Sequence, residues 1–290
     1  MRSARFLIAS FLLSSAAVRA SILPPNNLDL EDGLLKGGIS KKEFVDTIAL
    51  VSNLYAPILK NFKGDLEVEG DWEDSTVNAY ADRDGNVWKV YMFGGLARRP
   101  EITVDGFALV MCHELGHHVG GFPFVSDWAA DEGQADYFAT QACARKLWGN
   151  DLAGNEKAAS SVNSIAKKKC NARWQSPKDR NLCYRVAGAS LSLARLLGAL
   201  EGSRPDFSKP DATVVTETDH EHPKAQCRLD TYVAGGLCDV QFKDNLIPGS
   251  SARASDLSRE KEALTVSCSQ FDKDRMFAGR PKCWFKQNVK

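Results

Sequence analysis

His113-Glu114-Leu115-Gly116-His117 puts two imidazoles and a carboxylate into one short stretch. On a helix, positions four apart share a face, so His113 and His117 can reach the same metal ion. Glu114 lies one step round, within reach of a water held at that ion. This is the spacing of a hydrolytic zinc site, with two ligands and a general base in about one turn. Such a site still needs a third protein ligand and an open fourth position.

Asp131-Glu132-Gly133-Gln134-Ala135-Asp136 supplies two carboxylates four apart on the next helical segment. Glu132 can complete a His-His-Glu ligand set. Asp136 can accept the other ring N–H of His113, fixing its tautomer and raising its basicity. Ala135, Phe138, Ala139 and Ala142 give this segment an apolar face to dock with. The remaining histidines are His118, His220 and His222. His118 is turned away from His117 on the helix and is assigned a structural or exposed role. A hydrolytic site also wants a donor for the oxyanion, and His222 is the first candidate, ahead of Tyr232 and Tyr137. The alternative for His222 is a helix cap or simple packing. A third histidine ligand of the metzincin type is excluded, because Pro123 stands where it would fall.

The elements that must position these groups follow from local pattern. A helix is expected from Ser40 to about Ala56, stopped or kinked by Pro57. Val77–Ala81 and Val87–Phe93 alternate around the turn residues Asp84-Gly85-Asn86, the mark of a β-hairpin. Thr103 can cap the helix that carries the two histidines, and Gly120-Gly121 and Pro123 end it. A second long helix is expected from near Ser126 to about Leu147. Further helices are expected near 156–169, 179–201 and from Pro223 to Gly235-Gly236, with a polar loop between Arg204 and Glu221. The pattern is α+β, mainly α. Residues 21–240 are expected to form one catalytic domain and 241–290 a Cys-stapled extension.

Residues 1–20 read as an export signal, with a basic start, an apolar run from Phe6 to Val18 and small residues at Val18 and Ala20 for cleavage. That places the chain in the periplasm or outside the cell, with no integral membrane span after cleavage. No Cys stands directly after the cleavage point to take a lipid. Without Arg2, Arg5 and Arg19, the basic count falls from 37 to 34 against 37 acids, a net charge of −3. That balance disfavours nucleic acid as a partner. All eight cysteines lie downstream, an even count that reads as four disulfides in an oxidising compartment. Local closure suggests Cys170–Cys183, Cys227–Cys238 and Cys268–Cys283, leaving Cys112 with Cys143 to pin the two metal-bearing helices together. Cysteine zinc ligation is disfavoured, since no pair has CxxC spacing.

The ordered motifs resemble those of a gluzincin family, that of HtpX, the CAAX prenyl proteases and the Oma-type mitochondrial proteases. Val77-Asn78-Ala79-Tyr80-Ala81 is similar to its N-A-F-A strand, and Val87 through Gly95-Leu96 to its edge strand and G-L turn. His113–His117 matches its HExxH, Glu132–Asp136 its E-x-x-A-D, and His222-Pro223 with Arg228 its H-P-x-x-x-x-R. The resemblance spans residues 77–228. It implies a zincin-like fold, one Zn2+ on His113, His117 and Glu132, and Glu114 as base. It also implies that Val87–Phe93 pairs with an extended polypeptide substrate by β-augmentation. The chain departs from the family in its eight cysteines, in lacking transmembrane helices, and in a connection of only 14 residues between His117 and Glu132.

The function expected from these readings is an exported zinc endopeptidase acting on extended or unfolded polypeptide. The rival from another class is a disulfide-stapled envelope binding or chaperone-like protein, its zinc site structural or self-inhibited with His222 as fourth ligand. A zinc hydrolase of a non-peptide amide is a second rival.

Overall fold

The computed structural model describes residues 20–26, 28–30, 37–251 and 253–290. The expected export signal therefore lies outside the described residues, apart from Ala20. The architecture is α+β, a small sheet against a larger body of helices. Among the described residues, no helix is long and apolar enough to cross a membrane.

The sheet holds β1 (Ala20–Ser21), β2 (Asp65–Asp71), β3 (Ala79–Asp84) and β4 (Val87–Phe93) in the order β1-β3-β4-β2. The expected hairpin is present: β3 and β4 run antiparallel from Ala79↔Met92 to Asp84↔Val87. Gly85 at the turn takes φ 56°, a left-handed value that suits glycine. The resemblance misplaces the edge, however. β2 lies parallel to β4 along its whole length, so Val87–Phe93 is an interior strand with both sides already bonded. It has no free edge for a substrate. The strand that carries the β1 pairing is β3, through Ala20↔Ala81 and Ser21↔Tyr80.

The helix α1 (Lys41–Lys60) starts at a capping box made by Ser40 and Glu43. It runs through Pro57 to Lys60, beyond the expected stop. Proline removes one N–H from the ladder, but Leu59 beyond it is fully buried and holds the last turn in place. A single turn, α2 (Gly94–Ala97), follows β4. Next comes α3 (Val104–Val119), capped by Thr103, whose hydroxyl accepts from the Gly106 N–H. Every residue of α3 from Gly106 onward is buried, because α1, β3 and a later long helix all pack around it.

The helix that carries Glu132 and Asp136 begins later than its sequence suggests. Ser126–Ala130 forms a loop, and α4 (Glu132–Phe138) starts at Asp131, whose carboxylate accepts from the Gln134 N–H. A π-helical turn over Ala139–Cys143 joins it to α5 (Ala144–Trp148). The helices α6 (Leu152–Ala158), α7 (Ser164–Arg173) and α8 (Pro177–Glu201) follow. A polar loop leads to α9 (Ala225–Leu237), and α10 (Asp256–Leu264) lies in the C-terminal part.

The four disulfides are Cys112–Cys143, Cys170–Cys183, Cys227–Cys283 and Cys238–Cys268. Cys170–Cys183 matches local closure, and Cys112–Cys143 is the pair expected to be left over. The last two cross over: instead of closing Cys227–Cys238 and Cys268–Cys283, they bind each end of α9 to the C-terminal segment. Both partners of the expected 227–238 pair sit on α9 or just after it, too far apart along the rod to bridge. The crossed pairs tie residues 241–290 onto the helical body.

Candidate metal centre

The centre is built where α3 and α4 come close. Gly116 makes that approach possible: a Cβ added there would stand 2.8 Å from the Ala135 Cα and 2.9 Å from its carbonyl oxygen. Those are backbone atoms, so no rotamer change relieves them. The Cys112–Cys143 disulfide, with Cα atoms 5.6 Å apart, pins α3 to the π-helical turn that continues α4.

This packing brings His113, His117 and Glu132 together. His113 Nε2 lies 3.0 Å from His117 Nε2 and 3.2 Å from Glu132 Oε2. His117 Nε2 lies 3.5 Å from Glu132 Oε1. Donors ~2.0–2.1 Å from a tetrahedral zinc stand about 3.3–3.4 Å from one another, so the three fit a single ion. All three residues are buried, and Glu132 Oε2 has no hydrogen-bond partner of its own. A second grouping, Asp211 with Cys227 and Cys283, offers no such site, because its two sulfurs are joined in a disulfide.

Each ring is aimed by the contact of its other nitrogen. His113 Nδ1 is 2.7 Å from Asp136 Oδ1, and His117 Nδ1 is 2.7 Å from the Ala130 carbonyl. Both Nδ1 atoms donate, which leaves both Nε2 lone pairs facing each other. That is unfavourable unless a proton or a metal ion stands between them. The loop after α3 turns back so that Ala130 can make its contact, with the Ala130 N–H donating to the His117 carbonyl at 2.9 Å.

Asp136 is the hub behind the ligands. Besides His113, it accepts from Arg228 Nε at 2.6 Å and Arg228 Nη2 at 2.7 Å, and from the Tyr232 hydroxyl. Burial alone would raise its pKa, but Arg228 and His113 outweigh that and hold the carboxyl below its ordinary range. Burial likewise opposes the charge of Glu132, and the two histidines overcome it and hold Glu132 low. His117, with burial dominant, is pushed down to about 4. His113 sits at about 9, because Asp136 and Glu132 outweigh its burial.

Glu114 occupies the neighbouring position on α3 and is fully buried. Burial pushes its carboxyl up to about 8, with the nearby Glu132 charge adding to the effect. Its Oε1 accepts from the Ile22 N–H at 3.0 Å, while Oε2 has no hydrogen-bond partner. His222, in the loop before α9, places Nε2 3.5 Å from Glu132 Oε1, and the same atom donates to the Ser21 carbonyl at 2.8 Å. The other two candidate oxyanion donors are elsewhere. Tyr232 is buried on Asp136, and Tyr137 donates to the Ala278 carbonyl at 2.6 Å.

His118 is not exposed. It is buried between the rings of Trp88 and Trp128, with Nε2 donating to the Lys89 carbonyl at 3.0 Å. Burial holds its pKa down at about 3, so it is a neutral packing group.

Some contacts around the site were invisible in the sequence. Asn78 clasps the backbone of Leu23, accepting from its N–H and donating to its carbonyl, both at 3.2 Å. His220 Nδ1 donates to Asp131 Oδ2 at 3.1 Å, beside the start of α4. The C-terminal segment holds the loop that carries His220 and His222: Val215 N–H donates to the Lys282 carbonyl and Asp219 N–H to that of Trp284. Arg280 reaches Gln134 Oε1 of α4 at 3.2 Å. No short-range pattern signals these contacts. Their one trace is the placement of Cys227 and Cys283.

Comparison with protein-family models, with curated proteins and with solved structures finds no significant match. The functional argument therefore rests on the geometry of the site.

Proposed function

We propose that the chain is an exported, zinc-dependent endopeptidase with a zincin-like arrangement of the gluzincin type. The observation that carries this is the convergence of two Nε2 atoms and one carboxylate within 3.0–3.5 Å, with Glu114 buried beside them. A zinc ion held by His113, His117 and Glu132 supplies Lewis acidity when bound, polarising a carbonyl and acidifying a water.

The rest is the work of the chain's own residues. Glu114, buried beside the three ligands with Oε2 unbonded, would take a proton from the attacking water and pass it to the departing amide nitrogen. His222 Nε2 is placed to donate to a carbonyl oxygen as negative charge grows on it. The side of β3 that pairs with Ala20 and Ser21 holds an extended backbone, the role the resemblance assigns to the next strand. Asp136, Arg228 and Tyr232 keep His113 oriented.

The rival is a closed structural site with His222 as fourth ligand. It is supported less well, because the Nε2 of His222 is committed to a backbone carbonyl. Metal content, casein cleavage and chelation together test the proposal. Stoichiometric zinc with chelator-sensitive cleavage is expected. Stoichiometric zinc without cleavage, and unfolding on chelation, would favour the structural site.

A further inference from the structure

The substrate side of the metal centre is already filled by the chain itself. Residues 20–23 lie extended along β3, pairing Ala20 with Ala81 and Ser21 with Tyr80. Ile22 and Leu23 are fully buried in the main core. Such a segment could be simple packing. Its polar contacts argue for more.

The two ends of one peptide bond meet the two residues assigned to hydrolysis. The Ser21 carbonyl accepts from His222 Nε2 at 2.8 Å. The Ile22 N–H, across the same bond, donates to Glu114 Oε1 at 3.0 Å and to the Ala79 carbonyl at 3.4 Å. The next groups are clamped too. The Ile22 carbonyl accepts from Arg228 Nη1, and both polar groups of Leu23 are taken by Asn78. Arg228 is itself fixed by Asp136, so the strand is held by the network that orients His113.

We propose that the chain is its own first substrate, cutting the Ser21–Ile22 bond. This rests on the peptidase reading above and extends it. Water is the co-reactant: its oxygen forms a bond to the Ser21 carbonyl carbon, and the bond from that carbon to the Ile22 nitrogen breaks. Glu114 moves a water proton to the Ile22 nitrogen. The products are a carboxylate at Ser21 and a new amino terminus at Ile22, with everything upstream released. The new ammonium remains beside Glu114, and Arg228 and Asn78 still hold Ile22 and Leu23. The cut removes the β3 pairing of Ser21, as export cleavage removes that of Ala20, freeing that half of the strand's edge for other polypeptides. The burial of Ile22 and Leu23 further predicts that such polypeptides carry aliphatic residues just after the cut.

The test is the amino terminus of the full chain produced in an oxidising compartment, read by intact mass and terminal sequencing. Wild type is expected to begin at Ile22 and the Glu114→Gln variant to retain Ser21. Wild type that retains Ser21 while cleaving casein overturns self-cleavage and leaves the peptidase reading standing. Wild type that cleaves neither overturns both. Amide hydrogen exchange on Glu114→Gln gives a readout independent of turnover: the Ile22 and Leu23 amides are expected to be protected, and rapid exchange there would show that the bond is not seated.

Discussion

Asp136 Oδ1 sits 2.7 Å from His113 Nδ1, and that contact decides which nitrogen of His113 faces Glu132. The same carboxylate is paired with Arg228, whose Nη1 reaches the backbone of Ile22. One buried acid thus links the orientation of a metal ligand to the clamp on the strand in the cleft. Asp136→Asn should lower zinc affinity by about 10–100-fold, the usual loss when a ligand's supporting partner is removed. Competition with a chromogenic chelator measures it. Unchanged affinity would mean that Asp136 serves packing alone.

The Arg228–Asp136 pair is fully buried, so removing one partner leaves an unpaired charge. Arg228→Met alone should destabilise the fold by about 3–5 kcal/mol. The double variant Arg228→Met, Asp136→Leu should lose less than the two single losses added together. Denaturant unfolding of the four chains in the cycle checks this, and simple additivity would count against direct coupling.

Gly116→Ala should separate α3 from α4, because the new Cβ meets the backbone of Ala135. Overpacking of this kind costs about 1–3 kcal/mol. Zinc affinity should fall with it, since the shift moves Glu132 away from the histidines. Adding Ala135→Gly should not rescue affinity, because the clash is with backbone atoms. Rescue would place the clash on the side chain instead.

How much of this was legible beforehand depends on the range of the interaction. His113, Glu114, His117, Glu132 and Asp136 stand out because helical spacing alone puts each pair on one face, and the structure brings them together as that spacing implies. The edge strand was misread for the opposite reason. Alternation in Val87–Phe93 says that a strand is present, but not whether a neighbour arrives from elsewhere in the chain. Here Asp65–Asp71 does arrive, and it turns an edge into an interior strand. The start of α4 was placed early, near Ser126, whose hydroxyl instead accepts from the Ala129 N–H in a local turn. The crossed disulfides, the Asn78 clasp and the seating of His222 depend on contacts between distant segments, which spacing does not encode.

The Cys227–Cys283 disulfide binds α9 to the segment that supports the His222 loop. Replacing both cysteines with alanine should cost about 2–4 kcal/mol of stability. It should also slow casein cleavage by loosening His222, while zinc affinity changes little. Equal losses in zinc binding and turnover would show that the loop supports the ligands as well.

Glu114→Gln tests the central claim most directly. Glutamine keeps the shape of the side chain and its acceptor, but cannot take a proton from water. The variant should bind stoichiometric zinc and fail to cleave casein. Undiminished cleavage by that variant would contradict the account.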